Sequence, residues 1–518
     1  MLLISMIEKL SKLSLWKRLA LAFAAGSLMV LSMPPFNLFP ILWICFPIFI
    51  ILLEIAKNLK QAFFTGWFFA LGFFIFGLFW ISAALFVDIE KFWWAVPLSL
   101  TGLPAFFAVY YGFAGVIAKD IAKHKGLLNL QGALLVGALW CLGDIARSYL
   151  FTGFSWNLLG YTWSVSLSML QITSVIGIYG LTLITGISAS LPVCLFSKNK
   201  KTIPLIGIAV LVVLAVYGVL RLENNKSEES SIFVRVVQPN IKQTLKWDKN
   251  ESERNFQTLI ELSAMDSEKK PDYIILPETA SAFYLVQNPM KRLELAQYIP
   301  FETVIVAGTV RIGWDENHKA KFYNSIAAID SKGYIQGLYD KSHLVPFGEY
   351  IPYRKYLPLQ TIAGTGEDFT KGSGIKTLEI TSLPSFSPLI CYEAIFPGRV
   401  TDPENRPDFL INATNDAWYG RTTGPYQHFA IVRVRAIEEG LPLVRAANTG
   451  ISAVIDGYGR IIEKTNIFEK AVIDRPLPLK TESTFFARQH NLVFVMILII
   501  ISFIAIMVKI KNCNKKIK

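Results

Sequence analysis

The sequence SPLICYEAIF at 387–396 is an apolar, strand-like run that ends in a cysteine, and a tyrosine and a glutamate follow directly. Similar apolar runs separated by turn residues recur through 231–480, among them IFVRVVQ, DYIILPE, TVIVAGTV and DFLINAT. Helix-compatible stretches such as NFQTLIELSAM lie between them. Strands that alternate with helices predict an α/β layered domain here.

The rest of the chain is more apolar than a soluble domain. Of the 518 residues, 53% are hydrophobic and 17% are charged, whereas soluble domains average about 25% charged residues. Crossing a bilayer takes about 20 apolar residues, and runs of that kind predict eight spans, near 18–33, 38–54, 62–87, 93–118, 128–148, 166–196, 203–221 and 490–508. We expect a membrane domain of seven transmembrane helices over 1–222, the α/β domain over 223–485, and an eighth span with a basic tail over 486–518.

Positive charges alternate from loop to loop along the predicted spans. Lysine and arginine are concentrated before the first span, after the second, fourth and sixth spans, and in the C-terminal tail. Because such residues favour the cytoplasmic side, both termini are predicted to be cytoplasmic and the α/β domain to lie across the membrane. This placement accounts for the net charge of +12. The sequence has no zinc-finger spacing, phosphate-binding glycine loop or basic stripe with stacking aromatics, so we expect no nucleic-acid partner.

The cysteine pattern excludes a disulfide framework. Of the five cysteines, three fall within apolar spans and one in the lysine-rich tail, which leaves Cys391 alone in the α/β domain. A lone thiol cannot form a disulfide within its domain. No CxxC or His/Cys cluster indicates a metal site.

Three strand-like runs are each followed by reactive side chains. YIILPETA carries Glu278, GLYDKSHLVPFGEY carries Lys341 and Glu349, and SPLICYEAIF carries Cys391 and Glu393. Working side chains commonly lie at the carboxyl ends of strands in α/β sheets. A carboxylate that takes the thiol proton, a thiolate that attacks a carbonyl and an ammonium that stabilises the oxyanion together perform acyl transfer. A cation beside the cysteine also favours its thiolate.

Taken singly, each of these residues has a simpler explanation. A lone cysteine is usually inert packing, Lys341 fits a solvated surface cation, and Glu278 fits a helix cap. Elsewhere, Asp144 and Arg147 have the i,i+3 spacing of a structural pair, and His428 fits a polar support rather than a metal ligand. Only the combination of a carboxylate, an ammonium and a thiol indicates catalysis.

Two apolar loops, 282–290 and 350–364, carry aromatics, leucines and prolines without a helix or strand period. They are suited either to packing on their own domain or to forming a lid or membrane-dipping arm around a lipid pocket. The sequence leaves both alternatives open.

The motifs in this order resemble the nitrilase superfamily and, within it, the membrane-bound apolipoprotein N-acyltransferase family. The resemblance covers essentially the whole chain. It rests on VQPNIKQTLKWD at 237–248, LPETA at 276–280, YDKSHLVPFGEYIP at 339–352, ICYEAIFP at 390–397, NATNDAWYG at 412–420 and the long segment at 424–460. It implies an α-β-β-α sandwich for the α/β domain.

The resemblance also implies roles for individual residues. Glu278 matches the general base, Lys341 the oxyanion-stabilising lysine, and Cys391 the nucleophile. The supporting positions are a further essential carboxylate at Glu349, the residues after the nucleophile at Tyr392 and Glu393, an asparagine near the site at Asn324, and a substrate-engaging tryptophan at Trp247.

The reaction that the resemblance implies has two steps. Cys391 takes an acyl chain from the sn-1 ester of a phospholipid as a thioester, and the α-amine of the diacylglyceryl-cysteine of an apolipoprotein then accepts it. No cofactor or metal is implied. We expect a monomer in the bacterial inner membrane with a periplasmic α/β domain.

Two other functions fit parts of the sequence. A membrane-tethered amidase would share the triad and the fold, but it would use water in place of an amine and would need no lipid donor. A transporter with a binding domain would need buried charges or paired broken helices in its spans, and the predicted spans have few such charges. N-acyl transfer accounts for more of the chain.

Overall fold

The computed structural model describes residues 2–196, 202–357, 359–363, 368–492, 494–499 and 502–503. The described residues fall into two compact units. The helical unit comprises 2–82, Glu90–Asn224 and the described residues from Phe485 onward, and the α/β unit comprises Ala83–Ile89 and Asn225–Thr484.

The described residues up to Asn224 form helices and the turns between them. Their α-helices are α1 (Leu2–Lys12), α2 (Leu15–Met29), α3 (Leu42–Glu54), α4 (Leu59–Leu78), α5 (Ile89–Phe92), α6 (Leu103–Ala122), α7 (Leu130–Tyr149), α8 (Leu167–Leu170), α9 (Thr173–Ser190) and α10 (Ile203–Glu223). Several begin at a side-chain cap, such as Asn58 before α4, whose oxygen accepts the Gln61 N–H at 2.9 Å and satisfies a free amide of the first turn.

Within the described residues, six helical segments are long and apolar enough to cross a membrane: Leu15–Ser32, Leu59–Ala95, Leu98–Ala122, Leu130–Tyr149, Thr173–Phe196 and Ile203–Glu223. The predicted span at 38–54 is a shorter apolar helix, Phe39–Glu54. The predicted span at 490–508 lies partly outside the described residues. The prediction of a multi-span helical membrane domain is confirmed.

Glycines allow close helix packing in the helical unit. A Cβ at Gly26 of α2 would lie 1.8 Å from the Phe69 carbonyl oxygen of α4, and one at Gly66 of α4 would lie 2.2 Å from that of Tyr111 on α6. In a bilayer the hydrophobic effect does not drive helices together, so the van der Waals contacts made at such small residues stabilise helix association.

The α/β unit contains two six-stranded sheets. The first has the order β12-β1-β2-β3-β4-β5 and the second β11-β10-β9-β8-β7-β6. Their strands are β1 (Glu229–Gln238), β2 (Tyr273–Ile275), β3 (Val304–Trp314), β4 (Ala320–Asp330), β5 (Ile335–Asp340), β6 (Leu378–Ile380), β7 (Leu383–Ile390), β8 (Phe409–Thr414), β9 (Leu443–Ala447), β10 (Ala453–Ile455), β11 (Ile461–Lys464) and β12 (Ala471–Pro478).

Alternating residues of the strands build three apolar layers. One face of each sheet meets the other in a shared core, where Val234 and Val236 of β1 cluster with Phe409 and Ile411 of β8. The outer face of the first sheet is covered by α11 (Ser252–Ser263) and α12 (Pro289–Ala296), and that of the second by α13 (Gly424–Glu439). The predicted α-β-β-α sandwich is confirmed. The short helix α14 (Phe485–Gln489) follows in the helical unit.

Strand direction brings the ends of β2 and β5 to one edge. β2 is parallel to β3, and β4 is antiparallel to both β3 and β5, so β2 and β5 run the same way. Glu278 follows β2 by three residues, and Lys341 directly follows β5. Cys391 directly follows β7 in the facing sheet.

Candidate active site

Glu278 and Lys341 form a buried ion pair at this edge. The Lys341 Nζ lies 3.5 Å from Oε1 of Glu278. Lys341 is 1% exposed and Glu278 7% exposed. Charges this buried need partners, so a surface-cation explanation for Lys341 is excluded.

Glu349 and Asn324 complete the surroundings of this pair. Lys341 Nζ donates to Glu349 Oε1 at 3.0 Å, and Asn324 Nδ2 donates at 2.8 Å to Oε1 of both glutamates. The other oxygen of Glu278 accepts the Asn415 backbone N–H at 3.0 Å. Burial alone lowers the pKa of Lys341, but the charges of Glu349 and Glu278 raise it further than burial lowers it. Lys341 is therefore a permanent cation between two carboxylates.

Cys391 lies at a strained turn. It has a φ of +50° and begins the 3-10 helix Cys391–Ile395 directly after β7. A left-handed conformation is costly for a residue with a Cβ and tends to occur where function requires it. The side chain is buried, and its Sγ lies 3.7 Å from the hydroxyl of Tyr419.

The thiol of Cys391 is protonated at neutral pH. Burial raises its pKa to about 12, with the charge of Glu278 acting in the same direction. Lys341 lowers this pKa, as predicted, but too weakly to produce a thiolate. A nucleophile in this state needs a base at the moment of attack, and Glu278 is the carboxylate whose charge acts most strongly on it.

Glu393 ties the turn at Cys391 to the turn after Lys341. Its Oε1 accepts hydrogen bonds from the Tyr339 hydroxyl at 2.6 Å, from the Ser342 backbone N–H at 2.7 Å and hydroxyl at 2.9 Å, and from the His343 N–H at 3.1 Å. Its Oε2 accepts the Ile390 N–H at 2.9 Å. The Glu393 carboxylate thus fixes the turn that carries Cys391 relative to the turn after Lys341.

Tyr392 and Trp247, the other two predicted residues, are less directly connected to the ion pair. Tyr392 is buried and packs edge-on against Phe396, with ring centroids 5.1 Å apart. Trp247 follows the 3-10 helix Gln243–Leu245 and is 38% exposed. An exposed indole next to a buried cluster is suited to contact with a substrate.

The two apolar loops differ. Loop 282–290 packs on its own unit, because Leu285 is fully buried in the core beneath α11 and α12. Met290 at its end is exposed. Loop 350–364 lies partly outside the described residues, and Tyr353 and Tyr356 in its described part are exposed.

A second buried polar cluster, formed by Asp416, His428 of α13 and Arg445 of β9, supports Cys391. Asp416 Oδ2 accepts from Arg445 Nη2 at 2.7 Å, and Asp416 Oδ1 lies 3.0 Å from Nδ1 of His428. Burial raises the pKa of Asp416, but Arg445 and His428 lower it further, to about 2. His428 also bonds the backbone of Cys391. His428 is therefore a polar support for the site, as predicted. Tyr419, which the sequence did not single out, also belongs to this cluster, because its ring packs against that of His428 with centroids 5.8 Å apart.

Lys246 is a buried member of the site that the sequence does not single out. Its Nζ donates to the backbone carbonyl of Glu278 at 3.0 Å, and the residue is 4% exposed. The only sequence signal is its place in the motif VQPNIKQTLKWD, directly before Trp247. Among the described residues, no three His, Cys, Asp or Glu side chains are grouped to hold a metal.

Comparison with known proteins matches both parts of the chain. Residues 25–191 match the model of the apolipoprotein N-acyltransferase N-terminal domain, and residues 233–484 match that of carbon-nitrogen hydrolases. The apolipoprotein N-acyltransferase of Rhodopseudomonas palustris is 36% identical over 502 residues, 92% of each chain. That of Brucella melitensis is 38% identical over 486 residues, 89% of this chain and 90% of the other. A solved carbon-nitrogen hydrolase from Helicobacter pylori is 18% identical, with a TM-score of 0.36, and covers 48% of this chain and 89% of that one.

Proposed function

The chain belongs to the apolipoprotein N-acyltransferase family, and from that premise we propose that it moves the sn-1 acyl chain of a phospholipid to a diacylated apolipoprotein through a thioester on Cys391. The acceptor is the α-amine of the diacylglyceryl-cysteine. The observation that carries the proposal is the buried Lys341, paired with two carboxylates, beside a buried thiol on a strained turn. Membership makes the chain a membrane-bound acyltransferase of lipoproteins, and the donor, the thioester and the residue roles are the proposal.

In the first half-reaction, Glu278 takes the proton of the Cys391 thiol as the sulfur attacks the ester carbon. The negative charge that develops on the carbonyl oxygen is stabilised by the Lys341 ammonium. The ester C–O bond then breaks, and the departing lysophospholipid oxygen takes the proton from Glu278. Glu349 and Asn324 hold Lys341 and Glu278 in place, and Glu393 holds the turn that carries the sulfur.

In the second half-reaction, the neutral α-amine of the lipoprotein attacks the thioester. A proton passes from its nitrogen to Glu278 and from there to the departing sulfur, which restores the Cys391 thiol. Donor and acceptor are both anchored in the bilayer, as is the enzyme, and confinement to one membrane favours their encounter. Trp247, partly exposed beside the site, is the proposed contact for these substrates.

The test is mass spectrometry of a diacylated lipoprotein incubated with the purified protein and a phospholipid labelled in its sn-1 chain. We expect the label as an amide on the N-terminal cysteine. The matched controls are Cys391→Ser and an acceptor with an acetylated α-amine, neither of which should acquire label. Label released only as free fatty acid would indicate a hydrolase and would overturn the proposal.

The proposed orientation places the α/β unit in the periplasm and both termini in the cytoplasm. It is tested by introducing Asn317→Cys, in a turn of the α/β unit, and Lys60→Cys, in the first turn of α4 after the second predicted span. Both positions are exposed. An impermeant thiol reagent should label the first in intact spheroplasts and the second only after permeabilisation. The reverse pattern would overturn the orientation.

A further inference from the structure

The two half-reactions leave Lys246 without a role, although it is buried against the catalytic glutamate. Its Nζ donates to the backbone carbonyl of Glu278 at 3.0 Å, and the residue is 4% exposed. Its neighbours in sequence, Trp247 and Asp248, are both exposed. A lysine side chain normally keeps its ammonium in water, so the inward direction of Lys246 requires an explanation.

The segment that carries Lys246 is fastened to the site. Gln243, three residues earlier, accepts a hydrogen bond from the Asn415 side chain at 2.7 Å. The backbone N–H of the same Asn415 donates to the Glu278 carboxylate at 3.0 Å. Asn448 holds the start of the segment, since its Oδ1 accepts the Ile241 N–H at 2.9 Å. Lys246 is thus directed into the site by fixed contacts.

Lys246 and Lys341 contact the same glutamate in different ways. Lys341 lies within 3.5 Å of two carboxylates, whereas Lys246 has no carboxylate within 4.0 Å in the described part of the chain and bonds only a neutral carbonyl. An ammonium has three N–H donors. Among the described residues, Lys246 has one acceptor for these three donors, the backbone carbonyl of Glu278. Lys341 is therefore a fixed cation, and Lys246 is the lysine that can release a proton.

The electrostatics agree with this contrast. Burial lowers the pKa of Lys246 to about 8, although the charges of Glu278 and Cys391 act to raise it. These two are the titratable groups that act on Lys246, and Glu278 is in turn paired with Lys341. A free α-amino group titrates at about 7.7–8.0. The two amines are thus matched for proton exchange near neutral pH.

The second half-reaction requires such an acceptor. An α-ammonium and a thioester give an amide, a thiol and one additional proton. Glu278 carries the proton that moves from the attacking nitrogen to the sulfur, so the first proton of the ammonium must leave by another route. For an acceptor that enters the buried site as an ammonium, the route starts at a base inside the site.

We propose that the neutral amine of Lys246 accepts the first proton of the lipoprotein α-ammonium, which frees the nitrogen lone pair for attack on the thioester. The Lys246 ammonium then returns this proton to solvent before the next turnover. This role rests on the proposed function and assigns to it a second base, specific to the transfer step.

The test separates the half-reactions in Lys246→Met and Lys246→Arg. Met keeps the length of the side chain without a titrating group, and Arg keeps a donor for the Glu278 carbonyl but does not release its proton in proteins. Acyl-enzyme on Cys391 is followed by mass, and its discharge to a diacylated peptide is followed in a single turnover. We expect discharge to fall by about 10²-fold in both variants and acylation to fall much less.

Two conditions distinguish a base from a structural contact. Raising the pH well above about 8, where the acceptor arrives as a neutral amine, should restore discharge in both variants toward the wild-type rate. Hydroxylamine, which is neutral at about pH 7 and needs no prior deprotonation, should discharge all three acyl-enzymes at similar rates. Thermal melting of each variant checks that it is folded.

The outcomes are separable. If acylation and discharge slow equally in the variants and high pH does not restore discharge, Lys246 has a structural role and the inference is overturned. An unchanged rate of discharge to the peptide in the variants would also overturn it. An absence of acyl-enzyme in the wild type would instead overturn the proposed function itself.

Discussion

Each unit of the molecule buries an ion pair, and the two pairs are built differently. In the helical unit, Asp144 and Arg147 lie one turn apart on α7, with both side chains fully buried and 2.7 Å between their charged atoms. Asp144 also accepts from the Tyr111 hydroxyl at 2.6 Å. One carboxylate meets one cation, so the charges cancel within a single helix. This confirms the predicted structural pair.

In the α/β unit, Lys341 meets two carboxylates that come from different loops, and a buried thiol lies beside them. Two carboxylates face the Lys341 ammonium, and the members of the cluster follow β2, β5 and β7. The comparison shows that a buried ion pair alone does not indicate a catalytic site. What distinguishes the second pair is an additional carboxylate, a buried thiol on a strained turn and contacts that fix their relative positions.

The largest effect on turnover is expected from Cys391→Ala. Removal of the sulfur prevents the thioester and should reduce acyl transfer by at least about 10³-fold. Since the side chain lies at a turn and is small, the melting temperature should stay close to that of the wild type. Turnover at the wild-type rate in labelled-phospholipid assays would contradict the assignment.

A smaller loss is expected from Glu278→Gln. The amide keeps the size of the side chain but cannot accept the thiol proton, and loss of a general base typically costs about 10²–10⁴-fold. Formation of the acyl-enzyme should be slowed, because the thiol has a pKa of about 12 and does not ionise unaided. The control is Glu253→Gln, an exposed carboxylate paired with Lys291, whose turnover should be unchanged.

A loss smaller than that of Glu278→Gln is expected from Glu349→Gln. The substitution removes one of the two carboxylate charges on Lys341 and leaves the ammonium to Glu278 alone. Lys341 is then held less firmly at the place where the oxyanion develops. We expect turnover to fall by roughly 10-fold to 100-fold, less than the loss of an oxyanion donor itself costs. In labelled-phospholipid assays, a loss as large as that of Glu278→Gln would indicate that Glu349 is the base.

No effect on chemistry is expected from Asp144→Asn in the helical unit. Breaking a buried ion pair leaves a buried charge without its partner and costs roughly 3–5 kcal/mol in soluble proteins. The melting temperature in detergent should therefore fall, while turnover per folded molecule at 25 °C stays near the wild-type value. A loss of turnover without a change in melting would show that this pair takes part in function.

The strand ends explain how much of the site is predictable from the sequence. Glu278, Lys341 and Cys391 each follow a recognisable apolar strand, and parallel strands bring such positions to one edge. Lys246 has no comparable signal, because its contact with Glu278 depends on a loop fastened by Asn448, more than 200 residues later in the chain. The residues next to Lys246 in the sequence therefore do not predict its contact with Glu278.

The protonation state of the Cys391 thiol also cannot be predicted from the sequence. A lysine near a cysteine predicts a thiolate, but burial and the Glu278 carboxylate outweigh it in the folded protein. The lengths of the apolar runs predicted most of the membrane spans, whereas the run at 38–54 forms the shorter apolar helix Phe39–Glu54.

The proposed reaction depends on Cys391 carrying the acyl chain between donor and acceptor. This is measured as the mass of the Cys391 peptide after incubation of the purified protein with phospholipid and no acceptor. We expect the addition of one acyl chain, which disappears when a diacylated lipoprotein with a free α-amine is added. Acyl transfer to the lipoprotein without any acyl mass on this peptide would contradict it.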